Sequence, residues 1–149
     1  TENLIGIVGF GSAARKIFLD NTEINNIRAL QKGFEKLIKS KLPKIKIFGE
    51  NVPRLPNTTC VYMPHLNADA QVIAMDLKGF SVSAGSACSS GKVKSSHVLE
   101  AMGEKSASNK SIRISSGWQN TKNDLEKLAQ FYVELYKRTE NKEKEIINA

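Results

Sequence analysis

Along most of this chain the apolar spacing switches between the three-and-four rhythm of a helix and short β-rich runs, with Pro or Gly at many of the switches. Short strands with helices between them must stack as layers to bury their apolar sides. The expected fold class is therefore α/β, an α+β layer with a sheet of three or four strands and helices packed on it. Ile24, Ile27, Leu30, Phe34 and Leu37 share one helical face, so residues 22–41 are expected as an amphipathic helix stopped before Pro43. Ile45, Ile47 and Phe48 begin a strand, and Thr59 to Met63 form a second one closed by Pro64. Asn67 or Asp69 can cap a helix that runs through Leu77 and is terminated by Gly79. Phe80 to Ala84 read as a third strand. Ser95 or Ser96 caps a short helix ending at Gly103, and the polar residues 104–110 are expected as a mobile surface loop.

Ser111 to Ser115 make the fourth strand. Thr121 with Asp124 has the spacing of a capping box, opening a last helix with Leu125, Leu128, Tyr132 and Leu135 on one face. The polar tail after Lys142 is expected to fray. The first residues stand apart from this pattern. Leu4, Ile5, Ile7, Val8, Ala14 and Ile17 suggest a helix that accommodates Gly9 and Gly11 through closely packed neighbours. Residues 1–20 thus read as a connector from something upstream, and residues 21–149 as one small domain. The chain opens on Thr1 with no Met, so the expectation is either that the numbering begins partway through a longer polypeptide or that processing or cloning removed residues.

With 149 residues, 40% of them hydrophobic and 25% charged, the chain can build one core. It has neither an apolar run long enough to span a bilayer nor a charged-then-apolar signal segment, so a soluble, cytoplasmic protein without membrane contact is expected. The net charge of +7 raises the question of nucleic acid. Its lysines are dispersed, however: Lys36, Lys39, Lys41, Lys44 and Lys46 in one stretch, and Lys137, Lys142 and Lys144 interleaved with Glu134, Glu140 and Glu143 in another. Aromatics are 7% and no nucleic-acid motif accompanies the charge, so a solvated face is the reading, with an acidic protein or RNA as its alternative. Two cysteines without a CxxC pair, and two distant histidines, make a poor metal site; neither a metal nor a disulfide is expected.

The densest chemical signal is Ser83-Ala84-Gly85-Ser86-Ala87-Cys88-Ser89-Ser90-Gly91-Lys92. A strand empties into a loop built from Gly, Ala and Ser around a single Cys. Small residues let such a loop move and approach a ligand. Lys92, Lys94 and the next helix N-terminus are near in sequence, and a positive field favours thiolate, the reactive form. A reactive Cys88 and an inert small filler both remain open on these grounds. A phosphate cradle is a weaker alternative, because GxxxxGK[ST] is absent. Cys60, within an apolar strand, reads as a small buried hydrophobe. Alternation sends Ile112 and Ile114 to one face of their strand and Arg113 to the other, where a guanidinium grips either a carboxylate ligand or a structural acid. His97 reads as a local structural residue, His65 carries no signal, and Trp118 reads as a packing residue.

Taken together, these segments resemble the NifS/IscS-type (group I) cysteine desulfurases of the class-V aminotransferase family. SAGSACSSG is similar to their active-site loop, and Thr1-Glu2-Asn3 before GIVGFGSAA to the end of their Gly-Thr-Glu-Asn motif. Arg54-Leu55-Pro56-Asn57-Thr58 resembles the RLPNT turn, Ser96 to Gly103 the SHVLxAMG helix, and Ser111 to Ser115 the IRxS strand. The resemblance implies a fold-type I pyridoxal-phosphate enzyme, homodimeric, of which residues 1–20 are the helix connecting to a large domain and residues 21–149 the small C-terminal domain. It implies removal of sulfur from L-cysteine to leave L-alanine, with Cys88 as the nucleophile that becomes a persulfide. Arg113 would hold the substrate carboxylate, and Thr1 would reach the cofactor phosphate across the dimer. The sulfur would pass to an acceptor protein such as an iron–sulfur scaffold, or to a thiolation relay.

The family's Schiff-base lysine belongs to a Ser-x-His-Lys segment that this chain lacks, and Ser116 stands where Leu or Ile is usual before Gly117. The chain alone is therefore expected neither to bind pyridoxal phosphate covalently nor to turn over cysteine. The alternative reading is a non-catalytic fragment or partner-binding remnant. A related lyase or aminotransferase that dispenses with the thiol fits the SAGSAC loop less well.

Overall fold

The structure, a computed structural model, describes residues 1–19, 21–85 and 95–147; the Cys88 segment, with Lys92 and Lys94, lies outside the described residues. Helix α1 covers Leu4–Leu19 and α2 covers Thr22–Lys41. Strands β1 (Lys46–Phe48) and β2 (Thr58–Tyr62) follow, then α3 (Ala68–Asp76), β3 (Ser83–Ala84) and α4 (His97–Ala101). A 3-10 turn at Lys105–Ala107, strand β4 (Ser111–Ser115) and helix α5 (Lys122–Ile147) complete the order.

The four strands form one sheet in the order β1-β2-β4-β3, every neighbouring pair antiparallel. Side chains alternate across it. Ile47, Val61, Ile112 and Ile114 point to one face, where they meet Phe34 and Ile38 of α2, Met75 of α3, and Leu125, Leu128, Tyr132 and Leu135 of α5. These helix residues recur at three and four, so each helix buries one stripe and leaves its charged side in water. The Tyr132 hydroxyl, inside this core, donates to the Tyr62 carbonyl at 3.3 Å. The expected α/β layer is thus present as a four-stranded antiparallel sheet with α2, α3 and α5 on one face and the short α4 and the 3-10 turn on part of the other.

The capping box at α5 is reciprocal. The Thr121 N–H donates to Asp124 Oδ2 at 2.8 Å, and the Asp124 N–H donates to Thr121 Oγ1 at 3.3 Å. The Thr121 backbone N–H, aided by the Thr121 hydroxyl, holds the Asp124 carboxyl below its ordinary value. Its folded value being the lower one, that stabilisation is full above the unfolded carboxylate range and disappears as pH falls through the folded value. Thr121→Ala should cost about 1 kcal/mol in urea unfolding of the chain at neutral pH.

Several expectations are corrected by packing. Only Ser83 and Ala84 of the expected strand 80–84 pair with β4, because Phe80 is drawn off to stack on Phe131 of α5 at 6.1 Å between ring centroids. Residues 104–110 are no free loop: Ala107 and Ser108 are buried, and serine side chains satisfy the turn, Ser108 Oγ donating to the Lys105 carbonyl and Ser111 Oγ to that of Ala107. Helix α5 does not end near Lys142. It continues to Ile147, tied by the Glu140–Lys144 pair and by Glu143 against His65, whose ring meets Tyr136 edge-on. Trp118, expected as a packing residue, is 71% exposed. Asn67 occupies the α3 N-cap with no side-chain capping bond, whereas Ser96 Oγ accepts the Leu99 N–H at the start of α4.

Helix α1 forms as expected, but Gly9 and Gly11 have open space where a Cβ would lie, not close neighbours. Ile5 is 88% exposed and Phe10 79%. Neither core cluster takes a residue from α1. No helix among the described residues is long and apolar enough to cross a membrane.

Candidate active site

The face of the sheet opposite the main core is only half covered. Strand register lines up Phe48 (β1), Cys60 (β2), Arg113 (β4) and Ser83 (β3) in a row across all the strands, all on this face by alternation. At the β1–β2 end, Phe48 is buried with Leu99 of α4 and Ala107 of the 3-10 turn, and Cys60 and Tyr62 pack against them. Arg113 and Ser83, at the β4–β3 end, are exposed. Arg113 therefore stands at the border between a roofed half and an open half.

Its neighbours fit an anion site. Arg113 makes no salt bridge among the described residues, which leaves its fork of donors available. Ile112 and Ile114 on either side of it are buried, so β4 is anchored from below while Arg113 projects from above. Cys60, directly across from Arg113, is half-buried. Burial pushes its thiol above the ordinary value, with the Arg113 charge acting the other way, so Cys60 is a neutral small side chain and not a thiolate. The remaining cation of this face within the sheet, Lys46, is committed: it pairs with Glu104 at 2.5 Å and lies over the Phe48 ring.

The described residues on either side of the undescribed segment lie at different halves of this face, β3 at the open half and the start of α4 at the roofed one. Strand β3 leads through Gly85, whose φ of 60° is a left-handed turn suited to glycine. On the other side Ser96 is fastened by its N–H to the Ser108 carbonyl at 2.9 Å, and its side chain caps α4. Arg113 is thus brought beside the strand that runs into the Cys88 segment, while Cys88 itself lies outside the described residues. Thr1 is exposed ahead of α1 and joins neither cluster.

One polar assembly was not foreseen. Arg54 grips Glu35 with Nη2 at 2.8 and 2.6 Å from the two carboxylate oxygens, and its Nη1 donates to the Thr58 carbonyl at 3.0 Å. Thr59 Oγ1 donates to Glu35 Oε1 at 2.6 Å, and Gln31 Nε2 donates to the carbonyls of Leu55 and Thr58. The assembly clamps the start of β2 to α2, which sets the height of the strand that carries Cys60. A signal existed: Gln31 and Glu35 fall beside Phe34 and Ile38 on the apolar face of α2, and a buried acid needs a partner.

Comparisons with known proteins point one way. The aminotransferase class-V family model matches residues 1–128. A protein described as cysteine desulfurase from Cereibacter sphaeroides is 35% identical over 131 residues, which cover 87% of this chain and 33% of that protein. One described as cysteine desulfurase IscS from Methanosarcina thermophila is 33% identical over 144 residues, 95% of this chain and 35% of that protein. The X-ray structure of a NifS-like protein from Rickettsia africae superposes with a TM-score of 0.72 and 39% identity, covering 92% of this chain and 36% of that one. The chain spans about a third of the length of the curated relatives it matches.

Proposed function

The chain belongs to the class-V aminotransferase family, and from that premise we propose that it is the C-terminal part of a cysteine desulfurase, contributing the sulfur-accepting thiol and the substrate carboxylate clamp. The observation that carries this reading is Arg113, exposed and without an acidic partner among the described residues, beside the strand that runs into Ser86-Ala87-Cys88. In this reading residues 1–20 connect to a large domain and residues 21–149 form the small one. The exposed Leu4, Ile5, Val8 and Phe10 of α1 support it, since an apolar face of that size calls for cover.

Pyridoxal phosphate is the cofactor the reading calls for, and the residues present fit it only at its edge. Thr1, exposed, offers a hydroxyl to the phosphate, whereas the sheet lysine near the site, Lys46, is held by Glu104, and the Ser-x-His-Lys segment is absent. The ring would be held by residues outside this chain, and when bound it would serve as the electron sink that makes the Cβ–S bond of the substrate labile. The chain's own part is clear in outline. Arg113 takes the carboxylate of L-cysteine in a two-point grip, which fixes the direction of the substrate side chain. The Cys88 thiolate attacks the substrate sulfur; an S–S bond forms, the Cβ–S bond breaks, and the carbon that keeps the electron pair takes up a proton to become alanine. Cys88 is left as a persulfide, to be handed to an acceptor protein such as an iron–sulfur scaffold or a thiolation relay. A cytoplasmic homodimer is the setting proposed for the complete protein.

The complete, cofactor-loaded protein should release alanine and, with a thiol reductant, sulfide from L-cysteine, whereas residues 1–149 alone should release neither. Arg113→Lys keeps the charge but loses the fork. It should raise KM for L-cysteine about tenfold to a hundredfold, from the loss of one charge-assisted bond, with a smaller change in kcat. An unchanged KM would show that the carboxylate is held elsewhere.

A further inference from the structure

The row across the open face is asymmetric around Arg113. On one side stands Cys60, half-buried and backed by Leu99 and Ala107; on the other stands Ser83, small and exposed on the edge strand. Directly opposed residues of antiparallel strands have Cβ atoms about 5 Å apart, so these two side chains flank the Arg113 stem.

We infer that Cys60 is a positioning residue for Arg113: with Leu99 and Ala107 behind it, it walls one side of the arginine stem and turns the guanidinium toward Ser83 and the free edge of the sheet. The inference rests on the reading of Arg113 as the carboxylate clamp and names what aims it. The aliphatic stem of an arginine packs against an apolar wall while its head stays in water. Cys60 suits that wall because its thiol, desolvated and neutral, neither repels the guanidinium nor binds it as an ion. The wall cannot give way, because Phe48, Leu99 and Ala107 are all buried behind it. Ser83 leaves room on the opposite side for the arm to lean. An arm aimed before the substrate arrives loses less rotamer freedom on binding, and that saving appears in KM and not in the chemical step.

The test uses two levels of the protein. In the complete cofactor-loaded protein, Cys60→Ala takes away the wall and should raise KM for L-cysteine about fivefold, the cost of one unrestrained side chain, with kcat within about twofold. Cys60→Val, which restores the bulk, should return KM to its original value. Ser83→Leu fills the space the arm needs and should raise KM without lowering kcat in proportion; as an exposed position it tolerates the change should Cys60→Ala fail to fold. In the 149-residue chain labelled with 15N-arginine, the Arg113 Nε signal, assigned with Arg113→Lys, should lose order in Cys60→Ala and keep it in Cys60→Val. An Arg113 Nε equally ordered in wild type and Cys60→Ala, or a KM indifferent to both Cys60→Ala and Ser83→Leu, overturns the inference. If Arg113→Lys itself leaves KM unchanged, the clamp reading fails, while the NMR comparison still judges whether Cys60 orders the arginine.

Discussion

Cys88→Ala in the complete protein is expected to reduce sulfur transfer from L-cysteine to background, a fall of about a thousandfold or more, while the cofactor absorbance band stays in place. The substitution deletes one sulfur atom and, in a segment otherwise made of Gly, Ala and Ser, adds no bulk. No other thiol is suited to substitute for it. Cys60, the second of the two cysteines, is half-buried, and desolvation holds it in the unreactive neutral form. Sequence position also favours Cys88, which follows Gly85 by three residues. Gly85 in turn follows the strand paired with Arg113. The check is single-turnover transfer of 35S from labelled cysteine to the protein, read beside the absorbance spectrum. A variant that takes up label at the wild-type rate would remove Cys88 from the mechanism.

Glu35→Leu should destabilise the domain by about 3–5 kcal/mol, enough to lower the urea midpoint by about 2 M. Glu35 is buried, and its carboxylate receives two bonds from Arg54 and one from Thr59. Removing it strands the buried Thr59 hydroxyl and leaves the partly buried Arg54 guanidinium with the Thr58 carbonyl as its remaining partner among the described residues. An abandoned charge in such a site costs more than the pair was worth. The double variant Glu35→Leu/Arg54→Leu should therefore be more stable than Glu35→Leu alone, by about 1 kcal/mol or more. Equal or simply additive losses in the double variant would show that the two side chains do not act as a pair. Because β2 is clamped through Thr58 and Thr59, loosening this end should also disturb the neighbouring Cys60–Arg113 row.

The places where sequence reading went astray are ones that packing decided. Phe80 has strand propensity, but Phe131 on a distant helix claimed its ring. The polar residues 104–110 look like a loop until Ser108 and Ser111 turn their hydroxyls inward onto backbone carbonyls. Trp118 has the size of a core residue but is left exposed, and Gly9 and Gly11 have open space where close neighbours were expected. For Phe80 the deciding partner is far away in sequence. For residues 104–110 the hydroxyl bonds are local, and it is the burial of Ala107 against Phe48 and Leu99 that fixes the turn. Trp118, Gly9 and Gly11 lie on surfaces that the described residues leave open.

What the amino-acid order determined by itself were the local units and their chemistry. Apolar spacing set the buried stripes of α2 and α5, Thr121 and Asp124 set where α5 begins, and alternation set Arg113 opposite Ile112 and Ile114. Such features rest on bonds and dihedrals within a few residues. Tertiary structure alone decided that β4 would enter between β2 and β3, bringing Arg113 between Cys60 and Ser83, and that α4 would roof only one half of that row. Strand order is chosen by the burial of all the elements together, and no single segment carries enough of that free energy to reveal it.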